Sequence, residues 1–370
     1  MADTNFYTLK VKKVEAETDK AVVLTFEVPN NLKDKFIYKH GQYLTLKFNF
    51  KGKGERRAYS LCSSPSVDED LKIGVKRVYK GLVSNHINDN VKEGMEIDIM
   101  PPQGHFTTEI DPDQTKDYFL FCSGSGITPM LSILKTILEE EPKSQVCIYY
   151  GNKSEDSIMF KNELAQLENR YSNQFKIIHT LTQPKIRKEG GIFGLFTKKI
   201  IDWKGMKGRI DAKRIKEIIL ENRRGTTPIE CFMCGPEGMM RTAEDCLKTM
   251  GIDDENIHVE WFLPAEGDSK EKIKDTNSKG AKATVTMNGK TIALNLLPNE
   301  SILDGLLRID EDPPYSCMSG ACSTCVCKLV SGEADMERCL ALSDDEVKNG
   351  FILSCSAIPT SDEIEVNYDV

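Results

Sequence analysis

Cysteine is the residue type in this chain with the most chemistry to offer. Four of the twelve cysteines follow a fixed spacing: Cys317, Cys322 and Cys325 form C-x4-C-x2-C, and Cys355 follows after 29 intervening residues. Four thiolates so spaced suit a [2Fe–2S] cluster, in which each of two irons takes two sulfurs. Between them stand Ser319, Gly320, Ala321, Ser323 and Thr324. Their small side chains let backbone N–H groups approach the anionic sulfides. A zinc knot or a set of disulfides is the alternative reading. Zinc sites favour paired C-x2–4-C units, and this segment has a single C-x2-C. Cys327, two residues past a candidate ligand, reads as a packing residue.

Three further motifs could hold anions or a redox group. Gly124-Ser125-Gly126-Ile127-Thr128-Pro129 directly follows an apolar strand, Tyr118–Cys122, and opens a helix. A glycine turn in that context cradles phosphates, and proline is tolerated at a first helical position, where its missing N–H was unpaired anyway. Gly81-Leu82-Val83-Ser84 reads either as a plain helix N-cap or as a second anion site at a helix start. Cys234-Gly235-Pro236 ends the strand Ile229–Met233, and Cys231 with Cys234 also makes a C-x-x-C pair, so a redox dithiol is an alternative there.

The elements that must position these residues fall into three segments. Up to about residue 110 the chain is β-rich: Gln42–Phe50 alternates apolar and polar residues, and apolar runs at Ala21–Val28, Leu71–Val78 and Met95–Met100 are bounded by turn formers. Short strands at that spacing predict a barrel, with one helix over Val83–Val91. From Tyr118 strands alternate with helices, through Val146–Tyr150, Phe175–Leu181, Ile229–Met233 and Ile257–Phe262. That order predicts a doubly wound parallel sheet. Residues 184–205 read as an inserted surface loop, and 264–282, polar and charged, as a linker. A hairpin then turns at Asn288-Gly289, a helix spans about 300–309, and Ser343 with Glu346 forms a capping box for another helix closed by Gly350.

Composition narrows the function classes. With 370 residues, 39% hydrophobic and 29% charged, the chain suits two or three globular domains. Disulfide stapling does not fit a chain whose start lacks the apolar core of an export signal, and no run is long enough to span a membrane. Cytoplasmic residence without a membrane partner is the expectation. The net charge of −8 is uneven: residues 283–370 hold 15 acids and 5 bases, leaving 42 acids and 44 bases in the rest. The acidic end argues against nucleic acid as a partner and for a charged docking face.

Residues 283–370, cysteine spacing and acidity included, resemble a plant-type ferredoxin. Arg57-Ala58-Tyr59-Ser60 resembles the R-x-Y-S motif of the ferredoxin–NADP reductase superfamily, and Gly81–Ser84, Gly124–Pro129 and Cys234–Pro236 resemble its other motifs. The resemblance implies a multidomain chain. An antiparallel β-barrel flavin domain spans 1–110, an α/β doubly wound NAD(P) domain 111–263 and an α+β (β-grasp) ferredoxin domain 283–370. It implies FAD rather than FMN, held by Arg57 on a phosphate, Tyr59 against the ring, Ser60 near its reacting nitrogen, Val75 and Lys76 along the ribityl chain, and Gly81, Leu82, Val83 and Ser84 on the second phosphate. Gly124, Gly126, Thr128, Pro129, Cys234, Gly235 and Pro236 would bind the nicotinamide nucleotide. Ser60, Cys234 and Glu260 would act at the reacting centre. Trp261 or Phe262 is a candidate for the aromatic that covers the flavin.

At the strand ends, Asn152, Lys153, Ser154, Thr182 and Gln183 include no acid placed for a ribose hydroxyl. That favours NADPH while leaving NADH open, with Lys185 or Arg187 as candidate phosphate ligands. The domain order is that of oxygenase reductases, the phenylacetyl-CoA epoxidase type among them. The implied activity is transfer of electrons from NAD(P)H through flavin and cluster to a separate oxygenase. A hybrid-cluster protein, a desaturase or a free ferredoxin as acceptor, and a non-catalytic redox sensor, remain as alternatives.

Overall fold

The computed structural model describes residues 3–189, 198–262, 278–336 and 338–370. In the first segment, strands β1 (Tyr7–Thr18), β2 (Ala21–Glu27), β3 (Tyr43–Phe50), β4 (Lys53–Ser60), β5 (Leu71–Lys76) and β6 (Glu96–Gln103), with helix α1 (Leu82–Asn90), form an antiparallel sheet in the order β4-β3-β6-β1-β2-β5. A bridge between Leu61 and Ile73 joins its two ends and closes a barrel. Leu9, Val11, Leu24, Leu44, Leu46, Ile73 and Ile99 fill the interior. The strands β1 and β4 lie outside the apolar runs of the sequence. In β1, buried Leu9 and Val11 alternate with exposed lysines, so a single face is apolar. In β4 the outward residues are spent on contacts with another domain.

The second segment is a six-stranded parallel sheet, β12-β9-β8-β7-β13-β14. It is built from β7 (Asp117–Ser123), α2 (Ile127–Glu140), β8 (Gln145–Asn152), α3 (Lys161–Arg170), β9 (Phe175–Leu181), β12 (Met206–Lys207), α4 (Ala212–Asn222), β13 (Ile229–Gly235), α5 (Glu237–Thr249) and β14 (Ile257–Trp261). Helix α2 is buried from Ile127 to Leu138, because one side packs on the sheet and the other on the barrel. Ala21, Val23, Cys62 and Phe106 of the barrel share its core. Even Lys135 on this helix is buried, held by Asp68 at 2.9 Å and Glu163 at 3.0 Å. The helix starts two residues before Pro129, which therefore stands third in it; any residue of a first turn can lack an N–H without losing a helical bond. The insertion is not a plain loop: β10 (Ile186–Glu189) and β11 (Lys198–Ile201) pair as an antiparallel ribbon, and its tip, 190–197, lies outside the described residues.

The third segment is a mixed five-stranded sheet, β16-β15-β21-β17-β19, made from β15 (Ala281–Met287), β16 (Lys290–Leu296), β17 (Val326–Ser331), β19 (Phe351–Leu353) and β21 (Glu363–Asn367). Helices α6 (Ile302–Arg308) and α7 (Asp344–Lys348) and the small pair β18 (Ala334–Met336) and β20 (Ala357–Pro359) complete it. Asn288 and Gly289 both have positive φ, as the tight hairpin turn requires. Ser343 and Glu346 form the capping box. Strand β15 begins at Ala281, inside the stretch read as linker, and residues 264–277 of that stretch lie outside the described residues. Cys327 is fully buried in this core, as a packing residue should be.

The ferredoxin-like segment is seated against the other two. Arg56 on β4 is 3% exposed; it pairs with Asp312, donates to the carbonyl of Pro313 at 3.3 Å and stacks on Tyr315 at 4.2 Å. Ala321 and Leu340 pack on the nucleotide-domain core that includes Met240 and Trp261. Arg56→Ala should weaken this seating by about 1–3 kcal/mol, the usual cost of a hydrogen bond to a charged group. Hydrogen exchange checks it: amides of 312–326 should exchange faster while those of β1 and β2 stay as they are.

Candidate functional site

The parallel sheet and the barrel meet at the carboxyl ends of the strands, where doubly wound sheets bind ligands. Gly124, with φ of +58°, and Gly126 make a single 3-10 turn after β7. A Cβ on Gly126 would overlap the carbonyl oxygen of Cys234, so only glycine lets the turn lie against the end of β13. Thr128 Oγ1 donates to the carbonyl of Ser125 at 2.9 Å, and Tyr150 donates to that of Gly124 at 2.8 Å. Pro236, after Gly235, caps α5. A glycine turn leading into a helix N-terminus is a geometry suited to a pyrophosphate.

The R-x-Y-S residues end β4. Ser60 is buried and its hydroxyl donates to Glu260 Oε2 at 3.0 Å. Glu260 in turn lies opposite Cys234 in the β13–β14 register. The three residues read as the reacting centre therefore converge from strands of two domains. Burial pushes the Glu260 carboxyl up to about 8, the Ser60 hydroxyl pulling the other way, so at neutral pH it keeps its proton. Burial, with Glu260 behind it, also raises the Cys234 thiol well above its ordinary range. Phe262 shares Glu260's side of β14 and packs on the core beside the barrel, whereas Trp261 points to the opposite core. Of the two aromatics, only Phe262 packs on the core shared with the barrel.

Tyr59 packs on the barrel core, and Ala58 lies opposite Thr45. Arg57 is half-buried, donates to the carbonyl of Arg56 at 2.6 Å and pairs with Glu55 at 3.1 Å. Val75 is fully buried on β5, and next to it the ammonium of Lys76 lies over the Gly124 turn. Burial and Lys20 lower its proton affinity; among the described residues no carboxylate pairs with it. Gly81 caps α1, Leu82 is exposed, Val83 is buried, and the Ser84 hydroxyl accepts from the Val78 N–H at 3.1 Å. A Cβ on Gly81 would stand 2.7 Å from that hydroxyl, so the close turn needs glycine. These are features an anionic dinucleotide fits.

At the nucleotide's expected far end, the Asn152 side chain is buried beside the Tyr150 phenol, and its amide has no partner at hydrogen-bonding geometry. Lys153 is exposed, and the Ser154 N–H donates to Ser157 at 3.0 Å. The Thr182 N–H donates to the Asn152 carbonyl and the Gln183 N–H to that of Lys153. Lys185 pairs with Asp156 at 2.7 Å and Arg187 with Asp202 at 3.2 Å, so neither is a free phosphate ligand. Two open surface clefts of about 180 and 280 Å³ lie at the other end of the sheet, around Gln145 and Gln174, away from this chemistry.

The four spaced cysteines come together on one loop and one turn. Cys322 and Cys325 are buried, Cys317 and Cys355 half-buried. The Cys317 thiol interacts electrostatically with those of Cys322 and Cys355, and Cys355 also with that of Cys325. Sharing with Cys322 holds the Cys317 thiol well below its usual range. Four thiols brought together in this way suit a two-iron cluster, in which each iron takes two of them. Gly320, with φ of +70°, has no room for a Cβ beside the Arg338 carbonyl. The Ser319 N–H reaches Cys317 Sγ at 3.4 Å, and the buried Ser319 hydroxyl has no partner. Cys355 sits in the turn between β19 and β20. Ser354 pins that turn, donating its N–H to the Cys325 carbonyl at 3.1 Å. All twelve cysteines are free. Cys231 and Cys234 lie in cores on opposite sides of β13, which removes the dithiol reading.

What sequence reasoning missed is the seam between domains. Tyr43 bonds Thr324 at 2.8 Å, Thr45 bonds Ser316 at 2.7 Å, and Arg56 pairs with Asp312. The only signal was the Arg56-Arg57 doublet, whose second member alone belonged to a motif.

Barrel, nucleotide fold and four-thiol domain in this order define a flavin- and iron–sulfur-dependent oxidoreductase. Comparison with known proteins agrees. The family described as oxidoreductase FAD-binding domain matches residues 8–108, oxidoreductase NAD-binding domain 120–245, and 2Fe-2S iron-sulfur cluster binding domain 285–360. The chain is 36% identical to a subunit of the 1,2-phenylacetyl-CoA epoxidase of Escherichia coli K12, covering 99% of this chain and 98% of that one. It is 31% identical to the ferredoxin reductase component of 3-ketosteroid-9-alpha-monooxygenase from Rhodococcus rhodochrous, over 97% and 96%. Phthalate dioxygenase reductase shares the fold, with a TM-score of 0.59, 24% identity and 98% coverage of both chains. The chain belongs to the family of FAD- and [2Fe–2S]-containing reductase components of oxygenase systems. No helix among the described residues is long and apolar enough to cross a membrane.

The folded chain holds the Glu260 proton up to about 8, whereas the unfolded chain releases it near the ordinary glutamate value. Stability therefore falls as pH rises between those values. Glu260→Gln should abolish that fall, gaining on the order of 2 kcal/mol over the parent near pH 8, after discount for partial exposure, and nothing near pH 4. Denaturation midpoints across that range would measure the difference; parallel profiles would contradict a neutral Glu260.

Proposed function

We propose that this chain takes a hydride from NADPH and delivers electrons singly to an oxygenase of the phenylacetyl-CoA epoxidase type. The observation that carries the reading is the meeting of Ser60, Cys234 and Glu260 at one crevice, with the four-thiol loop seated on the same barrel strands. The acceptor class follows the relative that is 36% identical over nearly the full chain. When bound, a flavin accepts electrons in pairs and returns them singly, and a [2Fe–2S] cluster takes them one at a time.

The chain's own part is to bind, orient and exclude water. Arg57 has the planar fork for a flavin phosphate once it leaves Glu55, and Gly81 to Ser84 offer the helix start for the other. Tyr59 supports the ring, and the Ser60 hydroxyl is fixed by Glu260. A neutral Glu260 can hold or give a proton at Ser60 without placing a bare charge in the crevice. Val75 and Lys76 line the ribityl path; Lys76, with no carboxylate partner among the described residues, is a cation beside the Gly124 turn. Gly124, Gly126, Thr128 and Pro129 present the pyrophosphate turn, while Cys234, Gly235 and Pro236 close the nicotinamide end. Asn152, Lys153 and Ser154 face the adenosine end, and Lys153, exposed and without an ion pair among the described residues, supports NADPH over NADH. Cys317, Cys322, Cys325 and Cys355 are the cluster ligands.

Purified protein should show flavin and [2Fe–2S] absorbance together, both bleaching on NADPH addition, and a colourless zinc-loaded protein would refute the proposal. Ser60→Ala should slow flavin reduction about 10²-fold with iron content unchanged, read by rapid mixing. Cys322→Ser should lose cluster absorbance and spare flavin reduction. Stimulation of NADPH oxidation by a phenylacetyl-CoA epoxidase oxygenase, and not by a free ferredoxin or a desaturase, would single out the acceptor.

A further inference from the structure

We propose that Tyr43 and Thr324 form the link through which the flavin-side strands are coupled to the cluster, Tyr43 being a positioning residue that directs the Thr324 hydroxyl onto Cys322. The inference rests on the proposed roles of Ser60 and Cys322. In the β3–β4 register Tyr43 lies directly opposite Ser60, so the two side chains leave the same face of the sheet. Tyr43 is 6% exposed and its hydroxyl is 2.8 Å from Thr324 Oγ1, which is 3.5 Å from Cys322 Sγ.

The direction of these bonds follows from the ligand. A cysteine bound to iron is a thiolate and can only accept, so Thr324 donates to Cys322. The Thr324 oxygen is then left to accept, and Tyr43 donates to it. The result is a chain of aligned hydrogen bonds in which the tyrosine polarises the threonine toward the sulfur. A phenylalanine would fill the same space but could not set that direction.

Two further couplings hold the geometry. Thr45, two residues along the same face, bonds Ser316 at 2.7 Å, the residue before Cys317. Arg56, on that face opposite Lys47, pairs with Asp312. The loop is thus fixed by three side chains of one barrel face, and the one nearest Ser60 is the one that reaches a cluster ligand. The step served is a single-electron transfer. A flavin held at Ser60 and a cluster held by the four cysteines would supply and accept that electron. Tyr43, Thr324 and Cys322 make and break no bond and keep their protons. Hydrogen bonds to cluster sulfurs set its potential.

The test compares Tyr43→Phe, Thr324→Val and Thr324→Ser in the FAD- and iron-loaded chain. Rapid mixing with NADPH follows flavin and cluster bleaching separately, per cluster present, and a redox titration gives the cluster potential. Flavin bleaching should match the parent in all three. Cluster reduction should slow about tenfold in Tyr43→Phe and Thr324→Val, with the potential moving to more negative values, and Thr324→Ser should restore both. Parental rates and potentials in Tyr43→Phe would overturn the role of Tyr43, as would an equal loss in Thr324→Ser. A parent chain lacking cluster absorbance or flavin bleaching would instead refute the underlying function.

Discussion

Ser60 and Glu260 are 200 residues apart in the chain and 3.0 Å apart in space, and the arrangement of the first two domains serves that contact. A carboxyl raised to about 8 by burial cannot be left to find its own place. It needs a strand beneath it, a partner in front and apolar neighbours around it. The strand is β14, locked beside β13; the partner comes from the end of β4; Cys234 and Phe262, its neighbours, belong to the core that α2 shares with the barrel. Displace the barrel from the sheet and the carboxyl ionises into water, while Ser60 loses the group that orients it.

The same strand pair, β3 with β4, reaches outward to the third domain. Because opposed residues share a face, one face carries Ser60 and Tyr43 at one end and Arg56 toward the other, with Thr45 between. The acidic segment therefore does not sit on the near-neutral part by bulk charge attraction. One buried guanidinium, two hydroxyl pairs and an apolar contact at Ala321 and Leu340 fix it.

Local patterns in the sequence were legible wherever one element carried the whole meaning. The cysteine spacing, the Gly124–Pro129 turn, the Asn288-Gly289 hairpin and the Ser343 capping box each state their geometry within a few residues. Strands β1 and β4 were not legible, because half their residues are charged and the apolar half follows alternation too sparse to stand out. The pairing of Cys231 and Cys234 looked like chemistry only because sequence spacing hides which side of a strand a residue faces. Nor could any local pattern show that Tyr43 meets Thr324, since contacts across domains depend on two folds being complete. Glu260 was a motif position in sequence; its neutral state is a property of what surrounds it.

The seating of the cysteine loop has a kinetic consequence. Of its four spaced cysteines, Cys322 and Cys325 are buried, while Cys317 and Cys355 are half-buried and nearer the surface. Electrons thus have an inner door and an outer one. An acceptor taking charge at the outer edge leaves the nucleotide crevice free, so the two substrates need not compete. Under that geometry a nicotinamide and an acceptor would meet different faces of the chain.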